Sequence, residues 1–181
     1  TGLRRPVALA GPANRAGRLV ADHIIDPESA RPIPQPVGTS IVRVGSLTAA
    51  MTGANRAALD QSGIDYRTVH LHPGSHAGYF PGAEQIHLVM HLRADDGLIL
   101  GAQAVGSDGA DKRIDVLATA IRNRMTGPDL IDLDLAYAPP YGSAKDPVNM
   151  AGMISENVVS GALELWYADQ YNENESEHLI L

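Results

Sequence analysis

The chain has 181 residues, 44% of them hydrophobic, enough for one domain with extensions and a sizeable core. A net charge of -7 argues against a basic nucleic-acid-binding surface, and the lack of cysteine excludes disulfides and thiolate metal sites within the chain. No apolar run nears the roughly 18 residues that span a bilayer, so the sequence predicts neither a nucleic-acid nor a membrane partner, and a cytoplasmic location.

The chain opens without a methionine on residues 1–26, where Val7 to Ala10 is short and apolar, as in a strand buried on both faces. Starting so close to a structural element, it reads as a piece of something longer. Gly11-Pro12 then predicts a helix start, with Ala13, Ala16, Val20 and Ile24 at helical spacing up to Asp26-Pro27. A strand, a glycine turn and a helix direct backbone N–H groups and a positive dipole end at a ligand. Four prolines in residues 27–36 mark a linker, placed at 27–37, before a new unit at Gly38.

In that unit Ser40–Val44 and Leu47–Thr52 read as strands split by Gly45-Ser46, and Gly53–Gly63 as a short helix. Arg67–His72 alternates, with Val69 and Leu71 on one face and His70 and His72 on the other. Gln85–Leu92 also alternates, with His87 and His91 facing away from Ile86, Leu88, Met90 and Leu92. Asp95-Asp96-Gly97 predicts a hairpin turn into Leu98–Val105. Ile114, Leu117, Ala118, Ile121 and Met125 form a helical stripe, and a short helix follows through Leu133. Asp146 and Pro147 fit the N-cap and first position of a last helix that stops at Gly161. Strands first and helices after predict an α+β domain over 38–162, an antiparallel β-sheet with helices on one face. Residues 163–181 hold Glu164, Asp169, Glu173, Glu175 and Glu177 and no Lys or Arg, the pattern of an acidic linker.

Three segments carry candidate chemistry. His70, His72 and His76 invite a zinc reading, but without cysteine or convergent carboxylates they read as strand-face histidines, and no metal is expected. In residues 74–83, glycines and a proline surround Tyr79 and the only phenylalanine, either an ordinary loop or a tyrosine presented as a hydrogen-bond donor. In residues 136–152, prolines present Tyr141, and Lys145 and Asn149 flank a helix start, which suits an anionic or amide-bearing partner or merely caps a surface helix. Asp111-Lys112-Arg113 reads as helix-start capping on a solvated face.

Taken in order, GPANRAGRLVADHI, GTSIVRV, LTAAMTG, HPGSHAGYFPGA, LILGAQAVGSDGADKRIDVLATAI and LAYAPPYGSAKDPVNMAG resemble the C-terminal part of FAD-dependent pyridine nucleotide-disulfide oxidoreductases, in the coenzyme A disulfide reductase and NADH oxidase branch. The resemblance implies that residues 1–26 are the last strand and helix of an FAD-binding domain, with Gly11, Pro12, Ala13 and Asn14 approaching the flavin. It implies that 38–162 is an interface domain forming a homodimer and lending residues to the partner's active site. Tyr79 and Tyr141 are then the catalytic candidates, Pro139 and Pro140 lie toward the partner's flavin, and His76, Lys145 and Asn149 are substrate-binding candidates. The substrate implied is coenzyme A disulfide or a related small disulfide. FAD and NAD(P)H belong to the intact parent, with none expected on this piece alone, since no redox cysteine or NAD(P)H domain is present. Where other members carry a His-Pro stretch and a downstream Glu, this chain has Ala138-Pro139-Pro140-Tyr141, so a tyrosine hydroxyl replaces the histidine acid. The tail is similar to the join with a rhodanese-like domain, with Leu179–Leu181 as its first strand. The rival readings are an NADH oxidase and a dimerisation module without catalytic role.

Overall fold

The computed structural model describes residues 6–168. The elements are α1 (Ala10–Ile25), β1 (Ser40–Val44), β2 (Leu47–Gly53), α2 (Arg56–Ser62), β3 (Tyr66–Leu71), β4 (His87–Arg93), β5 (Ile99–Gly106), α3 (Ala110–Arg122) and α4 (Pro147–Val159), with a 3₁₀ turn at Pro128–Leu130. The strands form one antiparallel sheet in the order β1-β2-β5-β4-β3. This is the α+β arrangement that the order of strands and helices predicts.

Period-two alternation decides the faces. Val69, Leu71, Leu88, Met90, Ala102 and Ala104 turn inward, where Ile114, Leu117 and Ala120 of α3 and Val148 and Ala151 of α4 cover them. Each fully buried leucine or isoleucine there contributes about 1.5–3 kcal/mol of apolar transfer. Their neighbours His70, His87, Val89 and Gln103 occupy the opposite face. Two glycines matter to this packing. Gly97 closes the β4–β5 hairpin at φ 71°, a left-handed conformation that glycine adopts without strain. Gly101 lets Ala54 cross the sheet, since a Cβ there would lie 1.9 Å from the Ala54 carbonyl oxygen.

The N-terminal segment differs from its prediction. Residues 6–9 are irregular, and α1 already begins at Ala10 with Leu9 as N-cap. A strand needs a neighbour to take its N–H and C=O groups, and none lies beside Val7–Ala10 among the described residues. The apolar stripe of α1 is also uncovered, with Leu19 its one buried residue and Ile24 75% exposed. The short helix expected through Leu133 reduces to the single 3₁₀ turn. The tail beyond residue 168, with Leu179–Leu181, lies outside the described residues. No helix among the described residues is long and apolar enough to cross a membrane.

On the outer face His91 is the buried exception. Its Nδ1 lies 3.0 Å from the Thr68 hydroxyl and its Nε2 donates to Gln103 Oε1 at 3.1 Å. Tyr66 packs edge-on against the ring. Burial pushes its pKa below the ordinary histidine value, only partly offset by the bond to Gln103. An imidazole with a depressed folded pKa leaves the unfolded chain to take up the proton first as pH falls. The folded state is therefore expected to lose stability as pH drops below about 6.5, the ordinary histidine pKa. Chemical denaturation at several pH values checks this, and His91→Gln should flatten the slope. An identical slope in the variant would contradict it.

Candidate functional site

Two loops build the candidate site, and a buried ion pair holds them together. The first, residues 72–86, leaves β3 and carries Tyr79. The second, residues 134–146, leads into α4 and carries Tyr137 and Tyr141. Asp146 caps α4, accepting from the Val148 N–H at 3.0 Å, while Asn149 Oδ1 accepts from the Asp146 N–H at 3.2 Å, which completes a capping box.

Arg113 projects from the first turn of α3 into the space between these loops. Its side chain is 1% exposed. Nη2 donates to Asp146 Oδ2 at 2.8 Å and to the Ser75 carbonyl at 3.0 Å, Nε donates to Asp146 Oδ1 at 3.3 Å, and Nη1 donates to the Gly109 carbonyl at 3.2 Å. The planar fork of the guanidinium suits this set of acceptors, and a lysine would satisfy fewer of them. The solvated face expected for Asp111-Lys112-Arg113 is thus wrong for Arg113. Helical spacing from Ile114 to Leu117 signals the apolar stripe, but nothing in the sequence shows that an arginine beside it meets a carboxylate 33 positions later. Lys112 stays at the rim, donating to the Ala136 carbonyl at 3.2 Å, with its Nζ 3.9 Å from Asp146 Oδ2. A direct backbone bond, Ala77 N–H to the Gly142 carbonyl at 2.8 Å, also joins the loops.

With the loops fixed, two tyrosines meet. The hydroxyls of Tyr79 and Tyr137 are 3.0 Å apart at the surface. The bond to Tyr79 pushes the Tyr137 phenol above its ordinary pKa, with burial and the charge of Tyr79 adding to it, so the group stays protonated at neutral pH. The resemblance implies Tyr79 and Tyr141 as the catalytic candidates; here it is Tyr137, two residues before the proline turn, whose hydroxyl lies beside that of Tyr79. Tyr141 is 72% exposed and lines a cleft of about 440 Å³ with Tyr137, Pro140, Lys112 and Asp108. Pro139 and Pro140 form the turn in which the Tyr141 and Gly142 N–H groups both bond to the Ala138 carbonyl.

The other predicted residues are placed differently. His76 is buried, its Nδ1 3.1 Å from the Ala77 carbonyl and its ring against Phe80, so it braces the Tyr79 loop from inside. It does not approach the outward-facing His70 and His72, and the described residues contain no group of three or more His, Asp or Glu placed to hold a metal. Asn149 is buried, and its amide donates to the carbonyls of Leu130, Ile131 and Leu133 at 3.0–3.2 Å. That geometry ties α4 to the 3₁₀ turn and leaves no amide group for a substrate, contrary to expectation. Lys145 is exposed beside the N-terminus of α4.

A separate feature concerns the cofactor. The N-terminus of α1, at Ala10, Gly11, Pro12 and Ala13, has no side-chain cap and no acid in its first turn. Pro12 has no N–H and the Ala13 N–H donates to the Leu9 carbonyl at 3.2 Å, so Ala10 and Gly11 supply the backbone N–H groups at this positive helix end, which would suit the electron-rich edge of a flavin; Asn14 lies one position further on the exposed surface.

The sheet, its one-sided helices and the paired loops define an α+β domain that carries exposed tyrosines on those loops. The chain belongs to the pyridine nucleotide-disulphide oxidoreductase dimerisation domain family, whose model matches residues 39–147. It is 40% identical over 146 residues to coenzyme A disulfide reductase of Staphylococcus aureus (strain JH9), covering 81% of this chain and 33% of that one. It is similar to the crystal structure of reduced Bacillus anthracis CoADR-RHD, with a TM-score of 0.92 and 43% identity over 97% of this chain and 31% of that one. A NAD-dependent persulfide reductase from A. fulgidus follows at a TM-score of 0.86 and 36% identity, covering 91% of this chain and 30% of that one. The chain thus spans about a third of the length of the relatives it matches.

Proposed function

We propose that this chain is the C-terminal, dimer-forming part of a cytoplasmic flavin-dependent NAD(P)H:disulfide oxidoreductase acting on coenzyme A disulfide. The observation that carries the reading is the Tyr79–Tyr137 hydroxyl pair, set 3.0 Å apart at the surface of loops locked by a buried ion pair. The 40% identity to a coenzyme A disulfide reductase supports the substrate. In the homodimer these loops face the partner's redox centre, and residues 1–26 close the FAD-binding domain of their own chain. The acidic residues after 162 lead toward a rhodanese-like domain.

Bound FAD, recharged by NAD(P)H, supplies the electrons. The tyrosines handle the proton. When a cysteine thiolate of the parent attacks one sulfur of the substrate, the substrate S–S bond breaks, a mixed disulfide forms, and one coenzyme A thiolate leaves. Tyr137 gives its hydroxyl proton to that sulfur, and Tyr79 holds Tyr137 in place and relays a replacement proton from solvent. A leaving thiolate that is protonated as it departs is a better leaving group. Tyr141, Pro139 and Pro140 wall the approach, and Lys145 offers a positive charge to the substrate phosphates.

The test is NADH and NADPH oxidation by the intact protein with coenzyme A disulfide, glutathione disulfide or oxygen as acceptor. Coenzyme A disulfide is expected to be reduced fastest. Oxidation with oxygen alone would make the parent an NADH oxidase, and no oxidation with any acceptor would leave a dimerisation module without a catalytic role.

A further inference from the structure

On the sheet face away from α3 and α4, far along the strands from His91, a histidine pair stands in the open. The β3–β4 ladder ends with Leu71 opposite Leu88. One step beyond, His72 faces His87 across the strands, both rings exposed, with centroids 4.8 Å apart. Their Nδ1 atoms are 2.8 Å apart. The backbones under them are fixed: Gln85 Nε2 donates to the His72 carbonyl at 3.1 Å, and Gly74 and Gln85 form a bridge just past the pair. Neither the proposed disulfide chemistry nor the packing of the core uses these rings.

Two facing Nδ1 atoms at that distance share one proton, so one imidazole donates and the other accepts. A metal ion accepts from both lone pairs at once and replaces the proton, which leaves to solvent. The spacing also chooses the geometry. At metal–nitrogen distances of roughly 2.0–2.1 Å, nitrogens 2.8 Å apart subtend about 90° at the ion. That is the cis relation of a square-planar or tetragonal centre, the geometry of Cu²⁺ and Ni²⁺. Tetrahedral Zn²⁺ would need the nitrogens roughly 3.3 Å apart, wider than the spacing of this pair. Imidazole ligands also favour copper at the top of the divalent affinity series.

We propose that His72 and His87 form a two-nitrogen site for a square-planar divalent transition-metal ion, selecting Cu²⁺ over Zn²⁺, with solvent completing the coordination. His70, two residues along the same face, is turned to the Tyr167 ring, with centroids 6.4 Å apart, and does not join the site.

The full chain is titrated with Cu²⁺ alone and with Zn²⁺ alone, followed by calorimetry and by electron paramagnetic resonance. One Cu²⁺ per chain is expected, its spectrum showing two imidazole nitrogens, with Zn²⁺ bound at least tenfold more weakly. His72→Gln and His87→Gln should each weaken Cu²⁺ binding at least tenfold, and His70→Gln should leave it unchanged. All three positions are exposed, and unchanged circular dichroism will show that the variants fold. Copper binding unmoved by the His72 and His87 variants, a single-nitrogen spectrum, or Zn²⁺ bound as tightly as Cu²⁺ would overturn the assignment.

Discussion

Arg113→Leu is expected to destabilise the chain by about 3–5 kcal/mol, the range measured when one partner of a buried ion pair is removed. The loss comes less from the missing attraction than from what is left behind. The Asp146 side chain is 5% exposed, and without the guanidinium its carboxylate keeps only the N–H groups at the head of α4 and the distant Lys112 ammonium. The Ser75 and Gly109 carbonyls lose their donor as well. Urea unfolding of the two chains measures the difference. Two companion variants separate charge from packing. Arg113→Lys keeps the charge but not the fork, and should fall between wild type and Arg113→Leu. Arg113→Met combined with Asp146→Asn removes both charges while keeping a side-chain acceptor at the head of α4, and should be more stable than Arg113→Met alone. Equal stability of that double variant and Arg113→Met would contradict an uncompensated buried charge as the cause.

That ion pair also marks the limit of what the sequence reveals. The sheet was legible because alternation in Arg67–His72 and Gln85–Leu92 is a local signal, and the Asp95-Asp96-Gly97 turn forces its two flanking runs together. The cap of α4 was legible for the same reason, since Asp146 and Pro147 act within one helical turn. Of the hydroxyl pair, Tyr79 was legible as a residue and Tyr137 only through its loop. Tyr79 and Tyr137 are 58 positions apart and meet because Arg113 draws Ser75 and Asp146 to one point, which no local pattern encodes. Asn149 misled for the opposite reason: a polar residue at a helix start resembles a ligand-binding group, yet its amide serves three carbonyls of the preceding turn. The strand expected at Val7–Ala10 failed because apolar character supplies burial but not a partner ladder.

Tyr137→Phe is the second change expected to have a large effect, this time on chemistry and not on folding. Tyr137 is 47% exposed and, among the described residues, its hydroxyl bonds only to Tyr79, so removing one oxygen leaves the packing of both loops intact. A positioned proton donor contributes about 10²–10⁴-fold to a rate. Tyr79→Phe should cost less, since it leaves the donor in place but unsupported, and Tyr141→Phe less again, since Tyr141 walls the cleft without joining the hydroxyl pair. The raised phenol pKa adds a pH signature: turnover should persist well above neutral pH in the wild type and fall only as Tyr137 ionises, a limb that Tyr137→Phe removes.

The most direct measurement is steady-state reduction of coenzyme A disulfide by the intact protein carrying each of these three substitutions, with NADH or NADPH in excess. A fall in kcat of about 10²-fold or more for Tyr137→Phe, with a smaller loss for Tyr79→Phe, is the result expected of a hydroxyl pair that protonates the leaving thiolate. Turnover unchanged in Tyr137→Phe and reduced in Tyr141→Phe would contradict it, and would make the exposed tyrosine of the proline turn the proton donor instead.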